Sequence, residues 1–184
     1  MTATSGLPPA FRRAWRKRIL DHDGDQSGLG GIEKWIQLAE ATGLTREQVI
    51  SCSGVLPGVI YAVDAYLSLV RDSPLLIAVA SSLTELFSRN LISLRMDQLR
   101  RHYPYLSHGL SYFEARLTQA PEDAAFALDY VAMHSGTRSE QEQVIRALER
   151  KCAILWAQLD AIDYAYVVPG NIPPGCFVPE VDKG

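Results

Sequence analysis

Apolar residues recur at helical spacing along nearly the whole chain, and no stretch alternates apolar with polar residues long enough to predict a strand. That regularity restricts the chain to an all-α fold. Its local breaks divide it into segments. A first helix runs from about Pro9 to Asp23 and stops where Gly24 opens the loop GDQSGLGG. IEKWIQLAEAT ends at Gly43, and Thr45 with Gln48 forms a capping-box pattern that starts a short helix. Pro57 occupies a first-turn position of LPGVIYAVDAYLSLVRD. Ser73 and Pro74 begin the apolar helix PLLIAVASSLTELF, and ISLRMDQLRR follows before a break at His102, Tyr103 and Pro104. GLSYFEARLTQ meets Pro121, whose missing donor predicts a kink or restart, with Glu122 and Asp123 near the new N-terminus. Thr137 and Glu140 repeat the capping-box pattern and open a long helix to about Tyr166. Seven or eight unequal helices exceed a simple four-helix bundle. The expected division is a tail over 1–10, a helical domain over 11–166, and a Pro/Gly-rich tail over 167–184, extended or loosely attached.

The 184 residues, 47% hydrophobic and 21% charged, suit one domain with a packed core. The longest apolar run, PLLIAVASSL, turns polar at Ser81 and Ser82, so no membrane span is expected. MTATSGLPPAFRRAW lacks the apolar stretch of a signal peptide. Cys52, Cys152 and Cys176 have neither metal-ligand spacing nor an even count, which points to reduced thiols, a cytoplasmic protein and no zinc. A net charge of -3 argues against a nucleic-acid binder. Arg12, Arg13, Arg16, Lys17 and Arg18 nevertheless crowd the first helix. They form either a solvated face around Phe11, Trp15, Ile19 and Leu20 or a site for a polyanionic small molecule.

Several polar residues fall where the pattern expects apolar ones. Glu85 follows Thr84 inside an otherwise apolar helix, either as a solvated side chain or as one aimed at a polar cavity. Lys151 lies within the stripe Val144, Leu148, Leu155, Leu159 and Ile162, where it either snorkels to the edge or faces such a cavity. Val59, Val63, Tyr66 and Val70 mark one inward face, which places the Tyr66 hydroxyl where it needs a partner. Tyr112 and Arg116 are one turn apart beside the stripe Leu110, Phe113 and Leu117, and Arg95 lies on the helix after Glu85. With Arg18 and His22, these residues outline a cavity of cations and phenols suited to a ligand carrying several carboxylates. Asp21, His22 and Asp23 point in successive directions around a helix, so a mononuclear metal site is not expected. No phosphate loop, Gly-x-Ser-x-Gly elbow or Cys-x-x-Cys is present.

RILDHDG (18–24), VLPGVIYAVDAY (55–66), SSLTELF (81–87), HYPY (102–105), YFEARLTQAPED (112–123) and KCAILWAQLDAIDYAY (151–166) together strongly resemble the pyrroloquinoline quinone (PQQ) synthase family, in order, from about Arg12 to Tyr166. The resemblance implies a haem-oxygenase-like multi-helix bundle near the TENA/THI-4 group, usually homodimeric. It also implies the last step of PQQ synthesis: ring closure and oxidation of a polycarboxylated quinoid precursor by molecular oxygen, with hydrogen peroxide as by-product. No metal or organic cofactor is implied. On this resemblance His22, Glu85, Tyr112, Arg116 and Lys151 are the catalytic positions, and Arg18, Tyr66, Thr84 and Arg95 contact substrate.

Three departures from the family pattern carry their own expectation. The family has a helical segment before RILDHDG that MTATSGLPPAF is too short to supply, so the bundle is expected to lack those N-terminal helices. Ile92 stands where the family commonly has a histidine, and Ile60 where a basic residue is common. These imply an alternative of another class: a catalytically impaired relative that binds PQQ or its precursor, or acts through a partner subunit. A thiaminase-like relative needs a cavity cysteine, and Cys152 lies at a different angle from Lys151. A di-iron oxidase needs Glu-x-x-His pairs, and none is convincing.

Overall fold

The computed structural model describes residues 7–25 and 28–179. The expectations for residues 1–6 and 180–184 of the two tails lie outside the described residues. The elements run α1 (Pro9–Asp23), β1 (Gly24–Asp25), β2 (Gly28–Leu29), α2 (Gly31–Ala41), α3 (Arg46–Ser51), α4 (Pro57–Asp72), α5 (Leu75–Ala80), a 3-10 helix (Ser81–Phe87), α6 (Ser88–His102), a second 3-10 helix (Pro104–Gly109), α7 (Ser111–His134) and α8 (Arg138–Tyr166). The all-α expectation holds apart from one short antiparallel pair, in which Gly24 faces Leu29 and Asp25 faces Gly28. Two residues per strand are too few for a period to register in the sequence.

The chain divides into two compact units, one comprising residues up to Val49 with Glu85–Phe126, the other Ile50–Thr84 with the residues from Ala127 onward. In the first unit α1 packs on α2, and the second 3-10 helix packs on α2 and α6. Met96, Leu110 and Phe113 form its core, joined by Leu38, Ile92, Leu99, Tyr112 and Leu117. Ile92 is therefore a packing residue here. The expected stripe on α7 is correct, whereas Ile19 and Leu20 of α1 are about half exposed, at 47% and 51%.

In the second unit α4 and α5 pack against α8. The faces in contact differ from those expected. Ala62 and Leu69 of α4 are buried while Val63 and Val70 are exposed, and on α8 Ala147 and Ala165 are buried while Leu159 and Ile162 are exposed. Close approach explains this: a Cβ added at Gly58 would lie 2.7 Å from the Ala161 Cβ, so small residues select the contact face. The described part of the C-terminal tail has no regular structure but is firmly attached. The Phe177 N–H donates to the Gly54 carbonyl (2.8 Å), and the Tyr166 hydroxyl donates to the Phe177 carbonyl (2.9 Å).

Two further expectations are corrected in part. The helix from Ser111 runs through Pro121 without restarting. Ala120, Ala124 and Ala127 are buried on one face, and this packing offsets the roughly 3 kcal/mol that an interior proline costs. The apolar helix after Pro74 is not uniformly α-helical, since it tightens to 3-10 geometry over Ser81–Phe87. The Ser81 and Ser82 hydroxyls there donate to the Ala78 and Val79 carbonyls, both at 2.7 Å. The whole helical run Leu75–His102 is long and apolar enough by composition to cross a membrane, although no unbroken apolar stretch in it suggested this. Val79, Ala80, Ser81 and Leu83 are nevertheless buried within the protein.

The cap of α8 is as the sequence predicts: the Glu140 N–H donates to the Thr137 hydroxyl, and the Glu140 carboxylate accepts from the Thr137 N–H. Thr137→Ala is expected to cost about 1 kcal/mol in urea unfolding. The Thr137 N–H and hydroxyl hold the Glu140 carboxyl below its usual range. Because the folded value is the lower one, the capping contribution is complete above the ordinary carboxylate range and is lost as pH falls through the folded value. The Thr137→Ala penalty should therefore shrink in acid; a penalty that grows there would contradict the cap geometry.

Candidate active site

The end of α1 and the start of α2 meet through glycine. A Cβ at Gly30 would lie 2.2 Å from the His22 carbonyl oxygen and 2.3 Å from the Gly24 nitrogen, contacts no side chain can make. A Cβ at Gly31 would lie 3.2 Å from the His22 Nδ1 and 3.5 Å from the Tyr112 ring. The Gly30–Gly31 pair thus lets α2 begin directly against the last turn of α1, with His22 and Tyr112 on either side. The Tyr112 ring is fixed by Trp35, whose ring centroid is 4.7 Å away. His22 itself is exposed.

Deeper in the same unit, two guanidiniums and two carboxylates alternate in a closed ring. Arg116 donates through Nη1 to Asp123 Oδ2 (3.0 Å) and through Nη2 to Glu85 Oε2 (2.8 Å). Arg18 places Nε 3.0 Å from Asp123 Oδ1 and Nη2 3.5 Å from Glu85 Oε1. The side chains of Asp123 and Arg116 are 8% and 9% exposed, that of Arg18 is 15% and that of Glu85 28%, so the ring opens to solvent at Glu85. Burial works against the Arg116 charge, but Glu85 and the hydrogen bond to Asp123 outweigh it and raise its pKa. Arg18 also lies over the Trp15 ring, 5.3 Å from its centroid. Two positive and two negative groups balance, and each is desolvated beside two opposite charges.

Glu85 is thus partly exposed but not alone: it reaches from the 3-10 helix into this ring. Arg18, Glu85 and Arg116 come together as the sequence suggested. Asp123 does not figure among the predicted site residues, because the proline rule assigned it to a new helix start. A signal was present nonetheless, since Arg116, Ala120, Asp123, Ala124 and Ala127 share one helical face. Arg95 belongs to the same unit but is exposed on α6. Lys17 remains on the surface, with Asp21 at 3.0 Å and Glu122 at 3.1 Å.

The second unit holds the other predicted residues. The Lys151 ammonium lies over the Tyr66 ring, 3.1 Å from its centroid, so the half-buried lysine meets an aromatic face. Thr84 is half-buried at the end of this unit. Cys152 is exposed on α8. Among the described residues, no three His, Cys, Asp or Glu side chains are placed to hold a metal ion.

Residues 7–161 match the model of the TENA/THI-4/PQQC family. The chain is 52% identical over 179 residues to the pyrroloquinoline-quinone synthase of Granulibacter bethesdensis, an alignment covering 96% of this chain and 70% of that one. It is 54% identical over 176 residues to the enzyme of that name from Xanthomonas campestris pv. campestris, covering 95% and 70%, and 52% identical over 180 residues to that of Gluconobacter oxydans, covering 97% and 75%. The helical architecture agrees with the haem-oxygenase-like bundle of this family. The family's model spans nearly every element described, and the chain belongs to the TENA/THI-4/PQQC family.

Proposed function

We propose that this chain acts in PQQ biosynthesis, carrying out the final oxygen-dependent ring closure and oxidation of the polycarboxylated quinoid precursor. One observation carries the reading: two guanidiniums, Arg18 and Arg116, sit side by side in a largely buried cluster beside a more accessible carboxylate, Glu85. Guanidiniums bind carboxylates through paired charge-assisted hydrogen bonds, which suits a substrate carrying several acids. Ring oxidation releases protons as electrons pass to oxygen, so it needs positioned acids and bases. Glu85, His22 and the Tyr112 hydroxyl supply such groups in the first unit, and Lys151 supplies one in the second. Arg95, Tyr66 and Thr84 complete the proposed substrate contacts. Cations beside the substrate stabilise anionic quinol and reduced oxygen as charge develops.

Molecular oxygen is the electron acceptor in this proposal, taking two electrons and two protons to give hydrogen peroxide, without a metal or organic cofactor. A homodimer in the cytoplasm completes it. The names of the relatives favour this synthase reading over that of a binding protein without turnover. Aerobic incubation with the late precursor tests it, following PQQ and hydrogen peroxide together. Glu85→Ala and Lys151→Ala are each expected to lower the rate at least about a hundredfold. Absence of product at stoichiometric wild-type protein would overturn the synthase reading.

A further inference from the structure

Arg18 and Arg116 are already committed: each contacts both Asp123 and Glu85. An incoming carboxylate must compete with these two acids for the N–H groups they occupy. The two are not equivalent. Asp123 is the more buried, and both of its contacts are 3.0 Å. Glu85 is more than three times as exposed, at 28% against 8%, and makes the longest contact of the ring, 3.5 Å to Arg18. Asp123 also sits on α7 two turns from Arg116, so one rigid helix carries both groups.

We propose that Asp123 is a positioning residue that holds Arg18 and Arg116 as a two-pronged carboxylate clamp, and that Glu85 is the member a substrate carboxylate displaces. This rests on the reading of the chain as acting on a polycarboxylated quinone. Two carboxylates touching the same two guanidiniums then have opposite effects on ligand binding. Removing the Glu85 charge frees the clamp without disturbing its geometry. Removing the Asp123 charge lets the guanidiniums turn away from each other. If both acids served only to neutralise the arginines, removing either would leave the site more positive and strengthen anion binding.

The test is equilibrium titration of the full chain with PQQ and with its fully methyl-esterified form, the affinity ratio of acid over ester being the readout. Thermal unfolding checks that each variant is folded. Asp123→Asn is expected to lower that ratio about tenfold, and Glu85→Gln to raise it several-fold, on the order of the energy of one hydrogen bond to a charged group. Asp123→Glu, which keeps the charge, is expected to recover part of the loss. If Asp123→Asn does not fold, Arg18→Gln/Asp123→Asn replaces it, since that pair removes opposite charges together. Its ratio is then expected to fall roughly threefold or more below that of Arg18→Gln alone, because Arg116 has lost its holder. A ratio that rises or stays unchanged on removing the Asp123 charge overturns the inference while leaving the quinone reading in place. A wild-type chain that shows no preference for the acid overturns both.

Discussion

Arg116→Met is expected to destabilise the protein by about 3 kcal/mol in urea unfolding, the lower end of the cost of breaking a buried ion pair, and to abolish product formation. Methionine matches much of the arginine stem, so the loss comes chiefly from charge. Asp123, 8% exposed, then keeps a carboxylate in the interior with Arg18 as its remaining partner in the ring, which is why the cost stays at the lower end. The raised pKa of Arg116 gives a contribution that is complete below its unfolded value and lost only as pH rises through the folded one. Both lie above the range of ordinary stability measurements, so the deficit should be constant across neutral pH. Arg100→Met is the comparison: Arg100 pairs with Glu114 at the surface, with both side chains about half exposed, and its loss should cost under about 1 kcal/mol. Equal costs for the two substitutions would mean that the ring contributes no more than a surface pair.

Gly30→Ala is expected to have the second largest effect, a loss of about 3 kcal/mol or more, because the added methyl meets backbone that cannot rotate aside. Gly30 has an ordinary negative φ, so the penalty is crowding and not dihedral strain. The His22 carbonyl and the Gly24 nitrogen must move apart, and the β1–β2 pair opens with them. His22 shifts relative to Tyr112, so turnover should fall further than the stability loss accounts for. Gly28→Ala is the control, since a Cβ there meets nothing within 4 Å. If Gly30→Ala unfolds like wild type, the close approach of α1 and α2 is not needed for folding.

Where helices begin was legible because the signals are local. Thr137 with Glu140 and Pro57 at a first turn each act within a few residues, and each marks the helix start that the sequence predicts. The 3-10 tightening over Ser81–Phe87 was less legible, although its serines were in view, because a hydroxyl facing a carbonyl one turn back is compatible with either helix type. Among the candidate site residues, Glu85 stands out as a charge inside an apolar helix, Arg116 as one beside an apolar stripe and Arg18 as part of the basic first helix, and the three come together. Asp123 escaped because a rule about proline placed it at a helix end, whereas the alanine packing of α7 carries the helix through.

The sequence by itself determined the helical class, the family and the set of charged residues that interrupt apolar faces, since periodicity, motifs and residue chemistry are properties of the chain. Tertiary structure decided which face of each helix is buried and which charges pair. Val63 and Leu159 read as core by hydrophobicity and are exposed, while Ala62 and Ala147 are buried. The close contact of Gly58 with Ala161 shows the reason: helices choose the faces that let them approach, and that choice belongs to pairs of surfaces distant in sequence. Pairing follows the same rule, because Glu85 and Arg116 are 31 residues apart and only the packed unit brings a carboxylate and a guanidinium to 2.8 Å.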